Sequence, residues 1–280
     1  MTKLKTYVEV LNWASSFLEN NGQESYTAEY LLLEKKQWTK TDLLTHLRKE
    51  MPEQEYEQYC QDIEQVVNYI PVQYLIGSTE FYGRRYKVNE HTLIPRPETE
   101  ELVDLILKDN QSENLTVVDI GTGTGIIALS LGLANPTWEV TGLDISLEAL
   151  KVATENNEIL QGKVTFLESD VLSDYPKEKK IDILVSNPPY ISYDEWEVMD
   201  VSVREHEPKT ALFAENNGLA IYEKIAEESQ KCLSETGKIY LEIGYLQGES
   251  VSKIFQKRFP RKNISVIKDL NGQDRIIEVK

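Results

Sequence analysis

Two stretches place residues capable of chemistry directly behind apolar runs. In "IDILVSNPPYIS" the run ends in Asn187, Pro188, Pro189 and Tyr190. Proline fixes its own φ and has no N–H to give a ladder, so the pair must stop a strand abruptly. Asn187 carries a side-chain carbonyl that accepts hydrogen bonds. The carbonyl of Pro188 leaves the sheet at the same turn. Two acceptors fixed side by side can receive both hydrogens of a planar NH₂ group, with Tyr190 as a flat wall beside it. Such a clamp acts by positioning and requires no nucleophilic Ser or Cys. It does not by itself separate a glutamine amide from an adenine amino group.

The second stretch is "VVDIGTGTG", where Gly121, Gly123 and Gly125 alternate with Thr122 and Thr124 between a strand and a helix. The spacing is G-x-G-x-G, not the G-x-G-x-x-G of dinucleotide sites. Alone it reads equally as a tight βα turn or as a place where backbone approaches a ligand beside a helix N-terminus. Asp144 ends the next strand in "TGLDIS", about 20 residues on, where a carboxylate can hold ribose hydroxyls. It could instead cap the following helix, a task Ser146 could serve equally well. Asp170 and Val171, in "LESDV", are expected to end the third strand at the same rim. Three consecutive strand ends facing one crevice predict a nucleoside-type site.

The elements that position these residues follow from periodicity. Residues 1 to about 75 space their apolar side chains as helices do, with Val8, Leu11, Ala14 and Leu18 in the first helix, Gly22 as its stop and Thr27 as the cap of the second. After Pro71, Gly77 and Gly83 punctuate β-prone residues, and "TEFYG" with "RRYKVN" predicts a β-hairpin between two domains. From about residue 115 strands and helices alternate, which predicts a doubly wound, mostly parallel sheet. The closing segments "ISVIKD" and "DRIIEVK" are joined only by "LNGQ". That leaves no room for a crossover, so they must pair antiparallel.

Composition excludes several classes. The 280 residues carry a formal net charge of −17, a poor match for neutralising many phosphates. Cys60 and Cys232 form neither a Cys-x-x-Cys pair nor a cluster with histidine, so no disulfide or metal site is expected. His46, His91 and His206 lack ligand spacing. The N-terminus has no secretory pattern and no stretch is apolar enough for a membrane span, so the chain reads as soluble and cytoplasmic.

"DIGTGTG", Asp144 and "SNPPY" resemble, in order and spacing, the motifs of S-adenosylmethionine-dependent methyltransferases. That resemblance implies a Rossmann-like α/β fold: a seven-stranded methyltransferase sheet with its last strand antiparallel. It also implies that Gly121, Thr122, Gly123, Thr124 and Gly125 pack on the methionine part of S-adenosylmethionine. Asp144 would hold the ribose, Asp170 and Val171 would flank the adenine, and Asn187 would face the methyl group.

The stretch "YLIGSTEFYGRRYKVNEHTLIPRPETEELV", Tyr74 to Val103, resembles the HemK/PrmC family, which methylates the glutamine of the GGQ motif in peptide chain release factors. Glu207-Pro208, Gly218-Leu219 and "DLNGQDR" match the same family, so the resemblance covers almost the whole chain. One departure is "NYI" before Pro71, where the family commonly has glycine and basic residues. The resemblance implies a helical recognition domain over 1–75, a hairpin linker over 76–93 and a catalytic domain over 94–280. It implies methyl transfer to an amide nitrogen clamped by Asn187, Pro188, Pro189 and Tyr190, with S-adenosylhomocysteine as product. The partner would be a release factor, reached by a monomer with no direct nucleic-acid or membrane contact and no metal. Arg96, in "PRPETE", is expected to pair with a carboxylate rather than to catalyse. Glu207 is weighed as a proton acceptor beside water. The alternatives are a methyltransferase acting on an adenine amino group of DNA or RNA, and a binding module that keeps the pocket for structure only.

Overall fold

The computed structural model describes residues 5–280, so the first four residues of the stretch read for a leader lie outside it. The chain forms two compact units, one running to Ser78 and including Asp200–His206, the other comprising Thr79–Met199 and Glu207–Lys280.

The first unit is helical: α1 (Tyr7–Asn20), α2 (Tyr26–Lys36), α3 (Lys40–His46), α4 (Glu53–Val67) and α5 (Val72–Ile76). Val10, Leu11, Ala14 and Leu18 form the buried stripe of α1. They pack with Leu31, Leu32, Ile63 and Val66 into a helical core, with Val10 taking the place expected of Val8, which is only half-buried. Capping boxes at Thr6/Glu9 and Thr39/Asp42 start α1 and α3. The second helix differs from expectation: it begins at Tyr26 behind Ser25, one residue before the expected cap Thr27.

The second unit opens with the hairpin of β1 (Ser78–Phe81) and β2 (Arg84–Lys87). Its turn residues Tyr82 and Gly83 have φ of 48° and 68°, the left-handed geometry a two-residue hairpin turn demands. This is unusual for tyrosine, and it is held there at both ends. The Tyr82 amide donates to Glu100 at 2.7 Å and its hydroxyl to Asp104 at 2.9 Å.

The main sheet comprises β3 (Thr116–Ile120), β4 (Glu139–Asp144), β5 (Thr165–Glu168), β6 (Ile181–Ser186), β7 (Leu233–Glu242), β8 (Ile264–Lys268) and β9 (Asp274–Val279). Their order is β5-β4-β3-β6-β7-β9-β8. Only β9 runs against its neighbours, pairing antiparallel with both β7 and β8. The turn joining β8 and β9 folds back on Asp269, which accepts from Asn271 and Gln273. The third predicted strand is shorter than its sequence suggests. As an edge strand, β5 stops at Glu168, two residues before Asp170.

Helices cover both faces: α6 (Glu98–Asp109), α7 (Ile126–Ala134) and α8 (Leu147–Ile159), then α12 (Ala220–Cys232) and α13 (Gly248–Arg258). The short turns α9 (Val201–His206), α10 (Lys209–Leu212) and α11 (Glu215–Gly218) lie between α8 and α12 in the chain. One apolar layer gathers Ile120, Leu184, Tyr222, Leu241 and Phe255. The other gathers Leu102, Val117, Leu129, Val185 and Tyr240. Strands buried on both faces explain the nearly continuous apolar runs. No helix among the described residues is long and apolar enough to cross a membrane, and no group of His, Cys, Asp and Glu there is arranged for a metal.

One buried residue ties the hairpin to α8 and the glycine loop. Asn156, in α8, accepts from the Lys87 amide at 2.7 Å and donates to the carbonyls of Lys87 and Thr124 at 3.1 and 2.9 Å. Asn156→Ala leaves those buried groups unpaired, which costs about 2–3 kcal/mol. The melting temperature should fall by about 5–10 °C, measurable by calorimetry or circular dichroism.

Candidate active site

A cavity of about 350 Å³ opens at the carboxyl ends of β3, β4 and β6, where open α/β sheets place their ligands. Gly121, Thr122, Gly123, Thr124, Asp144, Asp170, Val171, Asn187, Pro188 and Pro189 all line it. Gly125 and Tyr190 do not. Gly125, with φ of 81°, begins α7, and a Cβ there would lie 3.1–3.3 Å from Phe166, Leu129 and Ala153. Its role is the close approach of helix to sheet. Tyr190 turns into the core beneath the loop, and its carbonyl accepts from Gln247 at 2.9 Å.

Gly121 and Gly123 hold φ of 68° and 55°. A Cβ at Gly121 would meet nothing within 4 Å, and at Gly123 only the Gly121 carbonyl at 4.0 Å. The loop thus presents bare backbone to open space, a cradle that side chains would fill. It is fixed from beneath by Asp119, on which the Thr122 hydroxyl donates at 2.6 Å and the Ala128 amide at 3.2 Å. The other Asp119 oxygen has no partner. Burial, with the nearby Asp144 charge adding, pushes this carboxyl up to about 7.

Asp144 performs a task that the sequence reading, ribose ligand or helix cap, did not include. One oxygen accepts from the Gly123 amide at 2.8 Å and the other from Ser146 at 2.9 Å. Ser146 itself caps α8, accepting from Ala149 at 3.2 Å. Asp144 therefore locks the glycine loop to β4; with the Ile145 amide also bonded to it, the carboxylate retains one further acceptor site. Desolvation raises its pKa, against the pull of those amides.

Beyond β5, Ser169 donates its amide to the Asp144 carbonyl at 2.9 Å. Asp170 is exposed and pairs with Lys224 at 2.5 Å. Val171 is buried with φ of 60°, a strained conformation for a β-branched residue. The next amide, Leu172, is held by Glu228 at 2.8 Å.

At the end of β6 the Ser186 hydroxyl donates to the Ile120 carbonyl at 2.7 Å. Asn187 then donates through Nδ2 to Thr99 Oγ1 at 3.2 Å, and Thr99 donates to Glu242 Oε2 at 2.7 Å. Burial pushes Glu242 up to about 7, against the pull of the Thr99 hydrogen bond and Arg275. The Arg96 guanidinium pairs with Glu207 at 2.6 Å, as expected for a structural ion pair. The other Glu207 oxygen accepts from Ile94 at 3.1 Å, so each oxygen of this buried carboxylate has a structural partner. Of the histidines, only His91 lines the cavity. His46 stacks on Trp38, and His206 contacts the Asn68 carbonyl, both in the first unit.

Several participants escaped the sequence reading. Tyr193 stacks on Phe213, centroids 5.0 Å apart, and both line the cavity. Nothing in the spacing of two residues so far apart announces the pair. Asp119, Thr99 and Glu242 each carried a faint signal: an acidic residue in an apolar strand, a hydroxyl within "PRPETE", and an acid ending "IYLE".

Residues 9–77 match the family model of the PrmC N-terminal domain and residues 99–204 that of the methyltransferase small domain. A release factor glutamine methyltransferase of Enterococcus faecalis is 54% identical over 97% of this chain and 98% of its own. One of Lactococcus lactis is 44% identical over 98% and 99%. Among solved structures, a methyltransferase from Pyrococcus furiosus is similar in fold, with a TM-score of 0.53 and 18% identity over 71% of this chain and 89% of its own. With identities this high over nearly the full length of both sequences, the chain belongs to the release factor glutamine methyltransferase family.

Proposed function

We propose that this protein transfers a methyl group from S-adenosylmethionine to the side-chain amide nitrogen of the GGQ glutamine in peptide chain release factors. The observation that carries this reading is the juxtaposition, in one cavity, of the open glycine cradle and the Asn187-Pro188 acceptor pair, in a chain of this family.

The residues present fit the cofactor. Gly121 and Gly123 offer backbone with no Cβ in the way, and Thr122, Thr124 and Gly125 shape that turn. Asp144 retains an acceptor site for a ribose hydroxyl beside its three amide partners, and Asp170 with Val171 flanks the place for the base. S-adenosylmethionine supplies an activated methyl group when bound there, leaving S-adenosylhomocysteine. Asn187 lies between this cradle and the substrate.

The protein's own contribution is positional. The Asn187 Oδ1 and the Pro188 carbonyl, which lies beyond the last ladder pair of β6, accept the two hydrogens of the substrate amide. An amide nitrogen is a poor nucleophile because its lone pair is delocalised. Acceptors placed for a more tetrahedral nitrogen favour the transition state over the ground state. Pro189 and Tyr190 keep the turn rigid, Tyr193 and Phe213 form the flat wall, and water receives the proton.

The clamp is set by its backing. Gly218 has φ of 79°, and a Cβ on it would lie 1.9 Å from the Tyr190 carbonyl oxygen. Residues 1–75 form the unit that recognises the release factor, 76–93 the linker and 94–280 the catalytic domain. The net charge of −17 supports a protein partner over direct nucleic-acid binding. The enzyme works as a cytoplasmic monomer in this reading.

Transfer of labelled methyl to a purified release factor, lost when its GGQ glutamine is changed to alanine, tests the proposal. Label on adenine-containing DNA alone overturns it. Asn187→Ala should lower turnover at least 100-fold while calorimetry finds cofactor affinity within about three-fold. Asp144→Ala should weaken cofactor binding by about 1.5–3 kcal/mol, the worth of hydrogen bonds to a charged group, with a matching rise in KM for the cofactor. Gly218→Ala should displace the clamp and lower kcat at least ten-fold with cofactor affinity retained. Full activity would show that the loop tolerates the shift.

A further inference from the structure

Asn187 can present either end of its amide to the cavity, and something must choose. Its neighbour Thr99, in the first turn of α6, has one hydroxyl hydrogen, and that hydrogen is given to Glu242 at 2.7 Å. The Thr99 oxygen can then only accept, so the group facing it at 3.2 Å must be the Asn187 NH₂. Asn187 also hydrogen-bonds towards Glu242 itself, and an ionised carboxylate accepts only. Both contacts turn Oδ1 away from the carboxylate.

We propose that Glu242, directly and through the Thr99 hydroxyl, is the positioning residue that fixes the Asn187 amide with its oxygen towards the substrate. This rests on the reading of Asn187 as acceptor of the substrate amide. Glu242 is 2% exposed at the end of β7 and touches no reacting atom. A buried charge held for packing alone is costly, whereas here it fixes the polarity of a chain of hydrogen bonds spanning α6, β7 and the loop after β6.

The polarity reverses if Glu242 gains a donor. A carboxamide, or the protonated acid, can donate to Thr99. The hydroxyl hydrogen is then free to turn to Asn187 Oδ1, and the NH₂ is presented to the cavity, where it repels the substrate's own NH₂. The groups around Glu242 are Arg275 from β9, which favours its charge, and Glu98 from α6, which opposes it. Tyr190 from the loop and Tyr222 from α12 also face it, the latter donating to the Glu242 backbone carbonyl at 2.7 Å. Because burial pushes the carboxyl up to about 7, the orienting, ionised form is lost as pH falls below neutrality.

Glu242→Gln keeps the shape and, by adding a donor, removes what forces the choice. With the full-length enzyme and an intact release factor, kcat should fall at least 30-fold, and the decline of wild-type kcat below about pH 7 should vanish in the variant. Cofactor affinity by calorimetry should stay within three-fold. If Glu242→Gln does not fold, Thr99→Val carries the test: kcat should fall at least five-fold and recover with Thr99→Ser. Turnover within two-fold of wild type in the folded variant overturns the proposal, as does a loss of cofactor affinity equal to the loss of kcat. Asn187→Ala is measured beside them. If it too is nearly fully active, the acceptor reading has failed. If it is inactive while Glu242→Gln is normal, only the orienting role of Glu242 has.

Discussion

The central sheet must stop at Ser186, and most of the site follows from that stop. Pro188 and Pro189 cannot extend a parallel ladder between β3 and β7, so the most buried strand ends in mid-interior. The backbone and side-chain polar groups released there need partners, because an unpaired buried group costs about 1–3 kcal/mol. The partners come from distant parts of the chain. Ser186 bonds the Ile120 carbonyl, Asn187 bonds Thr99, and Gln247 caps the Tyr190 carbonyl. The loop is thereby fixed on all sides except the one that faces the cavity.

A second constraint is electrostatic. Two carboxyls are buried on opposite flanks of this stop, Asp119 under the glycine loop and Glu242 beneath Asn187. Desolvation raises both to about 7, above the roughly 4 expected of the unfolded chain. Each therefore contributes stability that is full below the unfolded value and is lost as pH rises through about 7. Selection of polar over apolar residues at these two positions makes sense only through what they hold: Asp119 the cradle, Glu242 the clamp. The surface is different in kind. Its ion pairs, such as Lys253–Glu249 and Lys151–Glu148, are exposed and worth little.

The chemistry asked of the protein is modest in type and demanding in geometry. No nucleophile of the protein's own takes part in the proposed reaction, so catalysis reduces to holding the substrate amide at a fixed distance and angle. Part of that geometry is carried by restricted backbone: Gly121, Gly123 and Gly125 at positive φ, Val171 at 60°, and Gly218 at 79° against the loop. Such conformations persist only where the surroundings over-determine them.

The sequence alone determined the periodic part of this protein. Helical spacing marked the first unit, and apolar runs broken by glycine marked the doubly wound sheet. The short "LNGQ" turn required β8 and β9 to pair antiparallel. The motifs carried the family, because "GTGTG", "NPPY" and "PRPETE" are local and their chemistry depends on neighbours in the chain. What only the tertiary structure decided is which partners, far apart in sequence, complete each motif. Asp144 reads as cap or ribose ligand, and only the fold reveals that its carboxylate also holds the Gly123 amide. Tyr190 reads as the wall until it turns into the core and Tyr193 meets Phe213. Thr99 and Glu242 lie 143 residues apart, so no window of sequence contains both. Hydrogen-bond polarity passes through contacts made by folding, and a linear pattern records neither their presence nor their direction.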